Sequence, residues 1–316
     1  MREQGRSERV TAYITRRLIA VAVLAAAVSI FVFLILHLIP GDPAVALLGT
    51  NAGSADLVNR LHREMGLDLP LPVQYLHWLG GLAKGNLGYS FAQSLPVAHL
   101  IAQNFPYTLQ LTFSGLVLSL LFGGVLGMLA ALKRHSFLDT GVMVLALVGL
   151  SLPSFWLGLL FISLFSVTLR WFAVFGGTSL AGLVLPSLAL GISGGGVIAR
   201  FVRSNMIEAM GQPYIATARS KGLSAGRILR RHVIRNAILP VVTVVGLQFG
   251  NLLSGTVVIE TVFSRPGIGR LLVSSILAKD YLTVQAIVLF IALLYAFTNL
   301  LIDLLYPLID PRIVYR

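Results

Sequence analysis

Residues 200–240 read RFVRSNMIEAMGQPYIATARSKGLSAGRILRRHVIRNAILP and lie between two long apolar segments. The stretch has one acidic residue, Glu208, and eight basic ones: Arg200, Arg203, Arg219, Lys221, Arg227, Arg230, Arg231 and Arg235. A Lys or Arg at the centre of a bilayer costs about 2.5–3.5 kcal/mol on insertion scales. So many of them cannot lie in hydrocarbon, and the stretch is therefore a water-facing loop between membrane spans.

The composition of the whole chain indicates the same class of protein. Hydrophobic residues make up 56% of the 316 positions and charged residues 11%, with a mean hydropathy of +0.86. A net charge of +12 would suggest nucleic-acid binding in a soluble protein, but here basic residues that hold loops on the cytoplasmic side account for it. The absence of cysteine excludes disulfides, thiolate metal sites and cysteine nucleophiles. We therefore expect an integral membrane protein that does not bind nucleic acid.

Six apolar runs are long enough to cross the roughly 30 Å hydrocarbon core as helices. They cover residues 18–39, 107–132, 139–169, 180–199, 237–262 and 283–307. The first run is too long for the apolar region of a signal peptide, so we expect it to be retained. Pro153 should kink the third run, and the glycine-rich segment 191–196 should make the fourth irregular or closely packed. The sequence thus predicts an all-α membrane protein with six transmembrane helices.

The distribution of basic residues predicts the orientation of these helices. Seventeen of the 24 Lys and Arg residues fall in alternate loops on one side, which the positive-inside rule assigns to the cytoplasm. Both termini then lie in the cytoplasm. The predicted division is a cytoplasmic segment 1–17, a first span 18–39, an external region 40–106, a five-helix core 107–308 with a cytoplasmic loop 200–237, and a cytoplasmic segment 309–316.

Motifs for chemistry within this chain are missing or weak. No G-x-x-x-x-G-K-[ST] loop is present to hold ATP phosphates, and the six histidines have no metal-site spacing. Residues 191–195 match the serine-hydrolase pattern G-x-S-x-G at Ser193, but the last two spans hold no histidine to serve as its base. We interpret this run as a helix-packing surface. The sequence predicts no catalytic, cofactor-binding or metal-binding residues.

Three acidic residues lie near the ends of predicted spans, namely Asp139, Glu260 and Asp303. An ionisable group inside a membrane is a functional candidate by default. No chain of ionisable groups at the midplane accompanies these three, which disfavours a proton relay. Asn299 and Asp303 share a helix face, so a hydrogen bond between helices is the simpler interpretation.

The punctuation of the basic loop predicts a definite local structure. Pro213 can open a helix, the segment 214–221 can continue it, and Gly222 can end it in the left-handed region. Residues 225–236 should then resume as a helix that enters the fifth span near Pro240. Such a helix, turn and lever could transmit force from a cytoplasmic partner, or could be an interfacial helix held by anionic lipid. The residues alone leave both interpretations open.

Residues 214–222 (YIATARSKG) and 235–240 (RNAILP) resemble the cytoplasmic signature of ABC-importer permeases, in the dipeptide, oligopeptide and nickel subgroup. Further agreement lies at Pro40–Pro43, Gly66–Asp68, Pro70–Leu71, Phe263–Arg270, Lys279–Tyr281 and Asp310–Arg312. One feature departs from the broader signature, which begins Glu-Ala-Ala where this chain has Ala216-Thr217-Ala218. A contact made by that glutamate cannot be transferred to this chain.

The resemblance implies a type I importer permease in the inner membrane. It would form half of a translocation path with a second homologous permease, receive solute from an external binding protein, and be driven by two ABC ATPase subunits that hold ATP and Mg. This chain would be no enzyme and would carry no cofactor. The implied ATPase-coupling residues are Tyr214, Ala216, Ala218, Arg219, Lys221 and Gly222, and the implied lever residues are Asn236 and Pro240.

The substrate is the least determined part of this expectation. Di- or oligopeptides are the leading expectation because most of the resembling subgroup transports them. Nickel, glutathione or other small solutes are the alternatives within the subgroup, and a self-sufficient ion-coupled carrier is the alternative from another class. The path should lie between the two permeases along the third to fifth spans, with no residue assigned to it.

Overall fold

A computed structural model of the chain describes residues 2–38, 45, 55–65, 67–90, 92–175 and 177–309. Three of the segments that carry the resemblance, Pro40–Pro43, Gly66 and Asp310–Arg312, lie outside the described residues. Parts of the predicted segments 40–106 and 309–316 lie outside them as well.

Among the described residues, the regular secondary structure is helical apart from one short hairpin. Its first elements are α1 (Arg2–Leu38), α2 (Ala55–Met65), α3 (Leu71–Ala83), the antiparallel strands β1 (Tyr89–Ser90) and β2 (Leu95–Pro96), and α4 (Val97–Leu132). There follow α5 (Phe137–Ser151), α6 (Ser154–Phe161) with a π-helical continuation (Ile162–Thr168), and α7 (Ala181–Met210). The last elements are α8 (Pro213–Ser220), α9 (Ala225–Ile228) with a π-helical continuation (Leu229–Ile234), α10 (Arg235–Val262), α11 (Ile268–Leu277) and α12 (Tyr281–Ile309).

Five helices in the described part of the chain are long and apolar enough to cross a membrane. These candidate spans are 14–34, 97–132, 181–210, 240–262 and 281–303. The helices α5 and α6 form a sixth if they count as one broken span, since they meet at an angle of 99°. The break lies at Leu152 and Pro153, where proline lacks the N–H that a continuous helix needs. The predicted all-α membrane fold is confirmed, with the third predicted span present as this bent pair, and the kink expected at Pro153 is a sharp bend.

Glycines allow α4 and α7 to pack with their backbones in close approach. A Cβ added at Gly123 would lie 2.5 Å from the carbonyl oxygen of Gly195, and one at Gly127 would lie 2.5 Å from that of Ala199. The helix α7 runs unbroken through residues 191–196, so this segment is closely packed rather than irregular. The helix also continues beyond the predicted end of its apolar run, to Met210.

The chain divides into two compact units. The first unit holds residues 1–106 and 267–300. Its core is a cluster of apolar side chains from α4, α11 and α12, with Val97 and Ile287 fully buried. Within it, Ser90 and Thr283 both donate hydrogen bonds from their hydroxyl groups to the buried carboxylate of Asp280.

The second unit holds residues 107–266 and 301–315. One apolar cluster, built on Leu111, Leu190 and Ile259, lies among α4, α6, α7 and α10. A second cluster joins the C-terminal ends of α4 and α7 to the segment 215–237. This second cluster positions the basic stretch from which the sequence analysis began.

Candidate functional site

The helix α8 starts as the sequence predicts. Gln212 is extended, with φ −73° and ψ 147°, and Pro213 occupies the first turn. Proline suits this position because its fixed φ matches the helix and its missing N–H would find no partner within the helix. The first residue of the predicted coupling segment, Tyr214, is thereby fixed in the first helical turn.

The C-terminal end of α8 is closed by a Schellman motif. Gly222 has φ +76°, its N–H donates to the carbonyl of Arg219 at 2.9 Å, and the N–H of Leu223 donates to the carbonyl of Ala218 at 3.2 Å. Leu223 also packs against the apolar cluster beneath the helix. A left-handed residue at this place favours glycine, so the predicted role of Gly222 as the helix stop is confirmed.

One face of α8 is buried and the other is exposed. Ile215 and Ala218 are buried in the cluster that contains Ala131, Met206, Ala209, Ile228, Val233 and Ala237. Five of the six predicted coupling residues are exposed: Tyr214, Ala216, Arg219, Lys221 and Gly222. The sixth, Ala218, is buried and packs α8 against the apolar cluster.

The segment after Gly222 is helical but not uniformly α-helical. Ser224 is extended and precedes α9, and a π-helical turn then leads into α10. Asn236 donates from Nδ2 to the hydroxyl oxygen of Tyr214 at 3.3 Å and to the carbonyl of His232 at 2.7 Å. Two predicted residues, one on the coupling helix and one on the lever, are thus joined directly.

Pro240 lies inside α10 rather than at its start. Its ring nitrogen has no hydrogen to donate to the carbonyl of Asn236, which is four residues earlier. A proline in a helix interior favours bending at that point. Pro240 is also the first residue of the candidate membrane span 240–262, so this span begins at a position where one backbone hydrogen bond is missing.

An ion pair ties α5 to α7 near the same end of the second unit. Arg203 donates to the two carboxylate oxygens of Asp139 from Nε at 2.6 Å and from Nη2 at 2.8 Å. Asp139 is 4% exposed and also accepts from the backbone N–H of His135 at 3.1 Å. The two-pronged geometry is the strong form of an Arg–carboxylate contact. Asp139 was one of the three acidic residues considered as functional candidates, and in the structure its carboxylate joins α5 to α7.

A second buried polar cluster lies at the other end of α10. Glu260 is fully buried and accepts a hydrogen bond from the Thr108 hydroxyl at 2.6 Å. Arg265 is 1% exposed and donates from Nη1 to the carbonyl of Gly177 at 2.9 Å. Its Nη2 donates to Oε1 of Gln110 at 3.3 Å. This cluster joins the segment before α7 to the N-terminal half of α4 and to the C-terminal end of α10.

The net effect of its surroundings is to lower the pKa of the buried Arg265 guanidinium, because burial outweighs the favourable charges nearby. Burial lowers the pKa of its guanidinium, while the charges of Glu260 and Tyr107 raise it. The guanidinium carbon lies 5.9 Å from the centre of the Tyr107 ring, a cation–π distance. Its Nε has no hydrogen-bond partner among the described residues. Arg265 is therefore held mainly by Nη contacts and by the ring.

The remaining candidates from the sequence take structural positions. Ser193 lies among glycines of α7 that touch neighbouring helices, since a Cβ added at Gly194 would lie 2.5 Å from Oγ of Ser119. Asn299 and Asp303 both lie in α12. Sequence reasoning did not foresee the pairing of Asp139 with Arg203 or the burial of Arg265. The only signal for the Asp139–Arg203 contact in the sequence was an acidic residue near the end of one predicted span and a basic residue near the end of another.

Two profiles of known families match this chain. Residues 123–315 match the family described as binding-protein-dependent transport system inner membrane component. Residues 10–112 match the N-terminal part of the same kind of membrane component. Together the two profiles match the chain except for residues 1–9, 113–122 and 316.

Curated relatives align over nearly the full chain. A Brucella abortus protein named as a peptide transport system permease is 44% identical over 313 residues, which is 96% of this chain and 99% of the relative. A glutathione transport system permease protein, GsiC of Escherichia coli, is 41% identical over 304 residues, again 96% of this chain and 99% of the relative.

Solved structures of low sequence identity share the fold. The chain resembles one from inward-facing conformations of the MetNI methionine ABC transporter, with a TM-score of 0.57 and 16% identity. That match covers 67% of this chain and 96% of the other. The similarity shows that the fold is that of an ABC-importer permease.

Proposed function

Since the chain belongs to the family of binding-protein-dependent transport system inner membrane components, we propose that it forms half of the translocation path of an ATP-driven importer, paired with a second homologous permease. In this proposal the chain hydrolyses no ATP. Two partner ATPase subunits bind ATP and Mg, and an external binding protein delivers the solute. Both termini and the basic segment 200–237 then face the cytoplasm, as the count of basic residues favours.

The helix α8 is the contact with an ATPase subunit in this proposal. The observation that carries it is the division of this helix into two faces. Ile215 and Ala218 are fixed in the chain's own core, while Tyr214, Arg219 and Lys221 are exposed. A partner that moves the exposed face therefore moves the cluster beneath it, which includes the ends of α4 and α7.

The hydrogen bond between Tyr214 and Asn236 supports a direct connection to the membrane helix. Displacement of α8 would act on the start of α10, four residues before Pro240. The missing backbone hydrogen bond at Pro240 makes that part of α10 easier to bend than an uninterrupted helix. We therefore assign Asn236 and Pro240 to the lever between ATPase contact and translocation path.

Charge reversal on α8 tests the coupling. The variant Arg219→Glu with Lys221→Glu, reconstituted with its partner subunits in liposomes, should keep its membrane insertion but lose solute uptake per ATP hydrolysed. The control carries the same charge change at Lys133 and Arg134, which are also exposed. Unchanged uptake in the α8 variant would contradict the assignment of α8. Uptake by liposomes that contain this chain alone, driven by an ion gradient, would contradict the importer itself.

Peptides are the proposed substrate class, with glutathione as the second candidate. The basis is that relatives at 44% and 41% identity carry the names of peptide and glutathione transport permeases. Uptake of a labelled dipeptide by the reconstituted importer, in competition with unlabelled oligopeptide, glutathione and nickel, tests this. Competition by di- and oligopeptides supports the proposal. Competition by glutathione alone would favour the second candidate, and competition by nickel alone would contradict both.

A further inference from the structure

An apolar groove runs along the second unit, close to the coupling helix. It has a volume of about 300 Å³ and is formed by three helices, α4, α7 and α10, with the last turn before α10. Its walls include Gly124 and Met128 from α4, Val202 and Met206 from α7, and Ile238 from α10. The side chains that line it are all apolar, so it offers no hydrogen bond to a peptide backbone, and burying unpaired polar groups there would cost free energy.

The groove has a defined depth. On α4 it extends from Leu120 to Met128, about 12 Å at 1.5 Å per residue, and on α10 from Ala237 to Val245, also about 12 Å. Half of the hydrocarbon core of a bilayer is about 15 Å thick. The groove therefore matches one leaflet, whereas a neighbouring transmembrane helix would pack along the full thickness.

One end of the groove is basic. Met128 and Met206 lie four residues before the C-terminal ends of α4 and α7, and Ala237 lies two residues after the start of α10. These residues belong to or pack against the cluster under α8, so this end of the groove is the one near α8. Arg235 is exposed there, at the first residue of α10. It shares a helix face with the groove residues Ile238 and Val242, which follow it by three and seven positions. The Arg235 guanidinium thus lies at the end of the apolar groove that is nearest to α8.

We propose that this groove binds one acyl chain of an anionic phospholipid from the leaflet next to α8, with the lipid phosphate at Arg235. The acyl chain fits the apolar walls and their depth of one leaflet. The guanidinium suits a phosphate, to which it can donate two parallel hydrogen bonds. Such a lipid would fill the space between three helices whose ends carry the coupling helix.

A substitution that fills the groove provides the main test. A Cβ added at Gly124 meets nothing within 4 Å, so Gly124→Leu places a larger side chain in the slot without a backbone clash. Gly141→Leu is the matched control, because a Cβ at Gly141 is equally unobstructed and this residue does not line the groove. The full chain is purified, mixed with phosphatidylglycerol or phosphatidylcholine, and examined by native mass spectrometry. We expect wild type and the control to retain one phosphatidylglycerol and Gly124→Leu to lose it.

The second test concerns the headgroup. Arg235→Gln should lower retention of phosphatidylglycerol relative to phosphatidylcholine about fivefold, the factor equal to about 1 kcal/mol for one basic residue at a membrane surface. Arg200→Gln is the control, since Arg200 is exposed on α7 two positions from the groove residues Ile198 and Val202 and so lies on the opposite side of the helix. Equal preference for the two lipids in wild type and Arg235→Gln would overturn the assignment of the headgroup.

A third variant keeps the proposal testable if Gly124→Leu does not fold. The chain has no cysteine, so Gly124→Cys introduces a single thiol into the groove. Phosphatidylglycerol should slow its reaction with a maleimide at least fivefold more than phosphatidylcholine does. Equal protection by both lipids would overturn the proposal. Cross-linking of this cysteine to a second copy of the chain would also overturn it, because the groove would then hold a helix.

Discussion

The two ends of α10 treat charge in opposite ways. Several arginines before its first residue are exposed, including Arg227 and Arg230. At its other end, the side chains of Glu260 and Arg265 are both buried. Exposed charges contribute little to the stability of a fold and remain available to a partner. Burying a cation costs free energy, so the surrounding fold depends on the contacts that compensate for the lost water, and removing one partner is strongly destabilising. The difference predicts that one end of this helix serves interaction and the other serves stability.

The largest effect should come from removing the buried cation. Arg265→Ala leaves the Glu260 carboxylate buried without its neighbouring charge and leaves the carbonyl of Gly177 unpaired, which should destabilise the fold by about 3–5 kcal/mol. Thermal unfolding of the purified chain measures this. Arg227→Ala, at an exposed position, is the control. If both variants unfold at the same temperature, the contrast between the two ends is wrong.

A smaller loss is expected from the ion pair near the coupling end. Asp139→Asn weakens two charge-assisted hydrogen bonds with Arg203 and should cost about 2–3 kcal/mol. A double-mutant cycle with Arg203→Gln separates the pair from the individual residues. The two substitutions should be strongly non-additive in unfolding experiments. Additive effects would show that the pair is only a surface contact.

The backbone at the end of α8 predicts an effect of about 1–2 kcal/mol. Gly222→Ala forces a side chain into the left-handed region at φ +76°, although the added Cβ itself meets nothing within 4 Å. Gly226→Ala is the control, because its Cβ is equally unobstructed and its φ is not positive. The control should be neutral or slightly stabilising in a helix. Equal destabilisation of both would mean that helix packing, rather than φ, controls this turn.

The smallest change in stability should follow from neutralising the exposed cations of α8. Arg219→Ala and Lys221→Ala should each shift the free energy of unfolding by no more than about 0.5 kcal/mol, because both residues are exposed. In the reconstituted importer the same variants should nevertheless lower uptake. A large loss of stability would place these side chains in the fold, contrary to the proposed role of that face.

Local signals predicted much of the fold from the sequence. Apolar runs gave the spans, Pro153 gave the bend between α5 and α6, and Pro213 with Gly222 gave the two ends of α8. Each signal depends on the backbone dihedral angles that proline or glycine allows, or on the free energy of transferring apolar residues from water into lipid. Such properties are available before any tertiary contact forms.

Contacts between distant residues were not predictable in the same way. Asp139 and Arg203 are 64 positions apart, and Arg265 meets a carbonyl 88 positions earlier. Neither partner has a local pattern that selects the other, because pairing depends on how the helices pack. The burial of Ala218 was not predictable for the same reason, since α8 has only eight residues, mostly small or polar, and their order does not show which face meets the core.

The hairpin of the first unit has a consequence for biosynthesis. The Ser90 hydroxyl is bonded to Asp280 across 190 positions, and the unit itself combines residues 1–106 with residues 267–300. Long-range contacts of this kind must close a large loop before they stabilise anything. We expect residues 89–96 to stay accessible to a protease in nascent chains that stop before residue 267, and to become protected once residue 300 has emerged. The segments made first would thus complete their folding last, after nearly the whole chain has left the ribosome.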